Sequence, residues 1–342
     1  MTTPLISFGE EYVQYITSNT TLTQCQKDTL VNYHHLLHRL DPPTNSNIQI
    51  HSLFQYTRDN DDMEQYSRLY MLILFFTASG ATTRKIMESL SQKKLTDVEI
   101  ITMMEASSSD KVPALKSEFQ KCNKWNYAIQ ILSKHYISAF NVEPAGITYL
   151  DIGCGNAGKT KLFYKYMGLP LRNVHCTDIR SWGPYGENRV KIPFAFEYIA
   201  DGRLNYTDNT FDFITCIFTL HHIPKMDDFI REIRRVLKPG GRLMIIEHSA
   251  YTDCDKVLVR IQHLLYSAIY DKRLDYIENP DYINLFNMYE WDFIMSRHNL
   301  MPTEKNIVVF DTEFKLSYDN VFYGIYTKSQ KRRKGDNARL SR

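Results

Sequence analysis

The most constraining feature of this 342-residue chain is a short apolar run that turns through glycines and reopens as a helix. The run Ile147-Thr148-Tyr149-Leu150-Asp151-Ile152 is β-branched and aromatic, the composition of a buried strand. Gly153-Cys154-Gly155-Asn156-Ala157-Gly158 follows, and then Lys159-Thr160 opens an amphipathic stretch in which Leu162, Phe163 and Tyr166 are expected on one helical face. A strand, a glycine turn and a helix N-terminus bring backbone N–H groups to one place, where they can meet a ligand. Two motifs fit the same residues. Gly153, Gly155 and Gly158 make a nucleotide-type G-x-G-x-x-G, while Gly153 through Gly158-Lys159-Thr160 satisfies the phosphate-binding G-x-x-x-x-G-K-[ST].

The downstream rhythm alternates strand and helix, the pattern of a parallel α/β sheet. Strands are expected at 173–178, 194–200, 211–216 and 242–247. An amphipathic helix over 226–237 carries Phe229, Ile230, Ile233, Val236 and Leu237, and Lys238-Pro239-Gly240-Gly241 stops it. Residues 251–281, rich in Leu, Ile and Tyr, are expected as a helical insert, 282–299 as a helix, and 306–314 with 321–327 as a terminal β-hairpin. The expected fold is α/β, a seven-stranded, mostly parallel sheet over 146–327. A mainly helical region, 1–145, precedes it as a substrate or partner domain. There Tyr12, Tyr15, Ile16 and again Tyr66, Leu69, Tyr70 and Ile73 fall at helical spacing, and Thr96-x-x-Glu99 has the spacing of a capping box. Residues 41–47 and 107–113 read as loops. His34, His35, His38 and His51 lack an acid or cysteine at ligand spacing, so no metal is expected.

Charge and cysteines narrow the class. The net charge of +2 conceals a basic tail at 328–342, with seven basic residues against Asp336. Six cysteines without a C-x-x-C pair give neither a disulfide framework nor a zinc signature, and read as reduced thiols. The N-terminus lacks a signal-peptide pattern. The longest apolar run, 69–76, is far short of the roughly 20 residues of a membrane span. An intracellular, cytoplasmic protein is expected, with the tail as a nuclear address or a phosphate-neutralising arm.

A phosphate-binding reading requires Lys159 on phosphate, Thr160 on Mg²⁺ and a further strand-end acid, for which Glu247 is the candidate. A ribose-bearing ligand instead requires an acid at the end of the second strand, and Asp178 stands 25 residues after Gly153. Asp201, at the end of the third strand, suits an adenine amine. With these residues, Tyr149-Leu150-Asp151-Ile152-Gly153-Cys154-Gly155, Asp178-Ile179, Ala200-Asp201-Gly202, Phe211-Asp212-Phe213-Ile214, Leu220-His221-His222-Ile223 and Leu237-Lys238-Pro239-Gly240-Gly241 resemble, in order, the motifs of class I (Rossmann-like) S-adenosylmethionine-dependent methyltransferases.

The resemblance implies S-adenosyl-L-methionine as cofactor. It places Asp151, Gly153, Gly155, Asn156 and Ala157 at the methionine end, Asp178 and Ile179 at the ribose, Asp201 and Gly202 at the adenine, and Ile217 and Phe218 beside the adenosine or sulfonium. Lys159 and Thr160 then become ordinary first-turn helix residues. Methyl transfer is an in-line displacement from a good leaving group, so alignment and water exclusion matter more than an obligatory catalytic residue. His221 and His222 lie where an acceptor would approach and are the candidate bases. No [DN]-P-P-[YF] run follows the fourth strand, which argues against amino methylation of nucleic-acid bases. The acceptor is expected to be RNA, cap structures included, ahead of a small molecule. A P-loop NTPase is the alternative of another class.

Overall fold

The computed structural model describes residues 17, 18, 24, 54, 63–77, 80–92, 96–108, 144–179, 193–199, 202–265, 283–307 and 320–329. The chain falls into two compact units, one of Met1–Asn123, His248–Phe293 and Phe310–Asn320, the other of Lys124–Glu247, Ile294–Val309 and Val321–Arg342. The sequence-drawn boundary at 145 is a single cut, whereas these units interleave along the chain.

In the first unit, helices α1 (Met63–Thr77), α2 (Gly80–Gln92) and α3 (Asp97–Ser108) share one apolar core with residues of the insert. Leu69, Leu72, Ile73, Ile86, Leu90, Ile100 and Met104 are buried with Val257, Leu258 and Ile261. The capping box at the start of α3 forms as expected. Glu99 N–H donates to Thr96 Oγ1 at 3.3 Å, and Thr96 N–H donates to Glu99 Oε2 at 2.8 Å. Arg68, 7% exposed, donates to Asp255 Oδ1 at 2.5 Å, so neither buried charge is left uncompensated.

The second unit is built on a seven-stranded sheet ordered β3-β2-β1-β4-β5-β7-β6. Its strands are β1 (Tyr149–Ile152), β2 (Val174–Asp178), β3 (Ala195–Tyr198), β4 (Phe211–Ile217), β5 (Leu237–His248), β6 (Leu300–Ile307) and β7 (Val321–Lys328). Parallel pairing joins β3 to β2, β2 to β1, β1 to β4 and β4 to β5, and β6 pairs antiparallel with β7. Two helices of this unit follow their strands: α4 (Gly158–Met167) after β1 and α5 (Met226–Val236) after β4. Beneath the turn after β1, the rings of Tyr149, Phe163 and Phe213 lie 5.7–6.3 Å apart.

Several expectations need correction. The buried face of α4 is Thr160, Phe163 and Met167, and Leu162 and Tyr166 are exposed. Strand β5 begins at Leu237, because Lys238-Pro239-Gly240-Gly241 is a bulge inside it. Phe211 pairs with Leu237, and Phe213 pairs with Arg242. In the insert, α6 (Asp253–Leu265) is helical, while 266–281 lies outside the described residues. Helix α7 (Met288–Arg297) starts six residues after the expected 282, because Asn287 caps it. Its Oδ1 accepts the N–H groups of Tyr289 and Glu290, and Glu290 returns a bond to Asn287 N–H. β6 starts at Leu300 rather than 306, directly after a left-handed turn at Asn299. Lys328 closes β7 instead of opening a tail. Only 8% exposed, it donates to Leu237 O at 2.5 Å and Asn209 Oδ1 at 2.8 Å. The four N-terminal histidines, Cys25, Cys122 and the tail beyond Ser329 lie outside the described residues. Among the described residues, Cys154, Cys176, Cys216 and Cys254 are free thiols, and no helix is long and apolar enough to cross a membrane.

Candidate active site

Two neighbouring loops leave the C-terminal ends of β1 and β4, the edge where open α/β sheets bind ligands. In the first, Gly153 (φ 70°) and Gly155 (φ 54°) take left-handed backbone that a side chain disfavours. Each glycine has its own reason. A Cβ on Gly153 would fall 2.2 Å from Thr219 Oγ1, so this glycine lets the two loops touch. A Cβ on Gly155 would meet nothing within 4 Å, so this glycine borders open space. Asn156 is exposed, and its Oδ1 accepts Gly158 N–H at 3.0 Å. Ala157 is fully buried at φ 57°, a strained conformation for a non-glycine residue, and its N–H donates to Cys154 O at 2.9 Å.

Asp178 ends β2 beside this loop, with Oδ2 accepting Gly155 N–H at 2.8 Å. The neighbouring Ile179 is exposed. Gly153, Gly155, Ala157 and Asp178 are therefore brought together as the sequence suggests. Asp201 lies outside the described residues, and Gly202 after it is left-handed at φ 74°.

Asp151 behaves differently from the other acid. Its carboxylate is 3% exposed and accepts Thr160 Oγ1 at 2.5 Å and Thr215 Oγ1 at 2.7 Å. A carboxylate only accepts, so Thr215 spends its proton there and Tyr149 OH must donate to Thr215 Oγ1, 2.7 Å away. The result is a directed chain, Tyr149 to Thr215 to Asp151. Burial raises the Asp151 carboxyl above its ordinary value, while the two threonine hydroxyls pull it back. Thr160 is thus a core anchor rather than an ordinary first-turn residue, and its hydroxyl is committed to Asp151. Lys159 Nζ stands 5.8 Å from the Phe218 ring centroid. Burial lowers its pKa to about 8, against the upward pull of Asp151 and Glu247.

The second loop is organised by Glu247, at the end of β5 and fully buried. Its Oε1 accepts the N–H groups of Thr219 at 3.0 Å and Leu220 at 2.7 Å, and its Oε2 lies 2.5 Å from His221 Nδ1. His221 is 1% exposed, and His222 is half-buried with its ring 4.0 Å from that of His221. Ile217 ends β4, and Phe218 follows at φ 50°, a second strained non-glycine residue. Thr215 and Thr219 are parts of the site that sequence reasoning missed, and neither leaves a sequence signal. Thr160 and Glu247 carried a signal only for the phosphate-binding reading, whereas here they hold Asp151 and the loop after β4.

These residues fit a nucleoside ligand with a small charged end. They offer an open glycine cradle, a carboxylate at the end of the second strand, and an apolar residue and a ring at Ile217 and Phe218. A family model described as "Methyltransferase domain" matches residues 125–304, which is 180 of the 342. The ubiquinone/menaquinone biosynthesis C-methyltransferase UbiE of Hydrogenovibrio crunogenus is 34% identical over 128 residues, 36% of this chain and 50% of that protein. The protein of the same name from Burkholderia mallei is 38% identical over 117 residues, 33% of this chain and 47% of the relative. The chain thus spans about half the length of the curated relatives it matches. Among solved structures, the Burkholderia thailandensis 1,6-didemethyltoxoflavin-N1-methyltransferase is similar at 15% identity and TM-score 0.42, covering 70% of this chain and 92% of that one. Strand order, loop geometry and the family match agree: the chain belongs to the methyltransferase-domain family, the Rossmann-like class that uses S-adenosylmethionine.

Proposed function

We propose that this chain transfers the methyl group of S-adenosylmethionine to a small organic acceptor. The observation that carries the cofactor half is the contact of Asp178 with Gly155 N–H, which ties a strand-end carboxylate to the open glycine cradle. When bound, the cofactor supplies an activated methyl on a sulfonium. Asp178 would hold the ribose hydroxyls, Gly153, Gly155, Asn156 and Ala157 would border the methionine end, and Asp201 with Gly202 would face the adenine. Ile217 and Phe218 would exclude water from the reacting region. The buried Asp151 would act one step back, fixing the turn through Thr160 and Thr215.

His221 has Nδ1 on Glu247, so we assign it to positioning the loop after β4 and leave His222 as the base candidate. The small-molecule preference rests on the relatives' names, which call those proteins C-methyltransferases of ubiquinone and menaquinone biosynthesis. It reverses the order in which RNA stood first. Tritiated methyl transfer into separated RNA, protein and small-molecule pools tests it. Label in the small-molecule pool is expected, and label confined to RNA would overturn the acceptor. Calorimetry with S-adenosylmethionine tests the cofactor half separately. Asp178→Ala should weaken binding about tenfold, and the absence of binding to the unaltered protein would end the reading.

A further inference from the structure

Within the sheet unit, Asp227, Arg231 and Arg234 of α5 and Arg297, His298 and Asn299 at the end of α7 line a cavity of about 390 Å³. The methyl-transfer reading assigns no task to any of them. The wall carries three guanidiniums and one carboxylate. That carboxylate, Asp227, accepts from His298 Nε2 at 2.8 Å. Arg231 is ion-paired with Asp228, and with both side chains 62% exposed the pair costs little to open.

Basic residues in the last turn of a helix are often explained by the helix dipole alone. Arg234 and its neighbour Arg235 show that this is insufficient here. Arg235 is fully employed, donating to Leu204 O, Tyr206 O, Asp208 and Glu232. Arg234 lines the cavity, and its Nε is buried with no hydrogen-bond partner among the described residues. Its positive charge also depresses the pKa of Lys328, after burial the next cause. Two cations this close, one with an unsatisfied and buried guanidinium nitrogen, leave a local positive potential that an anion in the cavity offsets. The cavity rim also meets the start of the basic segment. Ser329 N–H and Oγ both donate to Asn299 O.

We propose that this cavity is an anion site for a phosphate group, either free or as a phosphomonoester, separate from the cofactor loops. Guanidiniums match phosphate oxygens in paired, charge-assisted hydrogen bonds, and three around one concavity suit that geometry better than a carboxylate's two oxygens. Isothermal titration of the full chain at low ionic strength tests it, first with inorganic phosphate and then with glycerol 3-phosphate. Saturable binding of about 1 mM or tighter is expected. Arg234→Gln and Arg297→Gln should each weaken it about tenfold. Arg84→Gln, an exposed charge on α2, should leave it unchanged. Which of the two ligands binds more tightly identifies a free or an esterified phosphate. Retained S-adenosylmethionine binding and far-ultraviolet circular dichroism show that each variant is folded, and Arg297→Gln carries the test if Arg234→Gln is not. No saturable heat with either ligand, or equal weakening by Arg84→Gln, would overturn the site.

Discussion

Asp178 and Glu247 do the same thing to neighbouring loops, yet the structure treats them differently. Each stands at the C-terminal end of a strand, and each accepts backbone N–H groups from the loop after the adjacent strand. Asp178 keeps 7% of its surface in solvent and its bond to Gly155 is only partly buried. Glu247 is sealed, with two N–H groups and an imidazole around it. A carboxylate at the edge of an open cradle can exchange a backbone partner for a ligand, whereas one held by three partners, two of those bonds buried, is fixed in place. Glu247→Ala should therefore produce the largest effect in the site. It orphans two N–H groups and a buried ring, and chemical denaturation should show a loss of about 3–5 kcal/mol. Glu247→Gln keeps an oxygen for the two N–H groups and should recover part of that loss. A stability unchanged by Glu247→Ala would erase the distinction between the two acids.

Asp151 sharpens the contrast as a third acid, close to the cradle but turned to the core. Its two threonine partners are each fully buried. Thr160→Val is nearly isosteric and removes the donor at 2.5 Å, leaving Asp151 underbonded in a buried site. The expected cost is about 1–3 kcal/mol in denaturant unfolding, with little change in cofactor affinity. A variant that keeps its stability but loses the cofactor would move Thr160 and Asp151 from scaffold to ligand contact.

Asp178→Ala should show the reverse pattern. Its loss removes one partly buried acceptor, so stability should fall by about 1 kcal/mol while S-adenosylmethionine affinity falls about tenfold. A stability loss of about 3 kcal/mol or more alongside the affinity loss would show that the affinity loss reflects a damaged loop.

The parallel half of the sheet was legible because 147–152 and 211–216 are mostly apolar, as buried central strands are, while 173–178, with only Val174 and Cys176 apolar, is marked as a strand by its place in the alternation and its closing acid Asp178. The turn chemistry was legible as well, since left-handed backbone selects glycine at 153 and 155. What failed were features whose partners lie far away in sequence. Strand β6 is half-exposed and holds Pro302, which an edge strand tolerates, so neither apolar content nor alternation marked its start at Leu300. Leu162 and Tyr166 looked like core by spacing, but the face of α4 is set by the bond from Thr160 to Asp151, nine residues earlier. Lys328 read as the first charge of a tail. It is held by Leu237 O, 91 residues away. Glu247 is visible in the sequence as an acid closing an apolar strand, but one acid at a strand end does not reveal whether it faces a ligand or a backbone.

Lys159 lies within electrostatic reach of the buried acid behind each loop, Asp151 and Glu247, and gives the most specific test. Burial disfavours its charge and takes its pKa from the ordinary 10.5 to about 8, although both acids pull it upward. A lysine with a depressed folded value costs the fold its full penalty below pH 8, where both folded and unfolded states are protonated. Between about pH 8 and 10.5 the unfolded chain still binds the proton and the folded chain has lost it, so the penalty is relieved as pH rises. Lys159→Met carries no such penalty. Its urea midpoint relative to the unaltered protein should be most favourable at pH 7 and the difference should narrow steadily between about pH 8 and 10.5. A difference that stays constant across that interval would show that the ammonium is solvated, and that water reaches between the two loops.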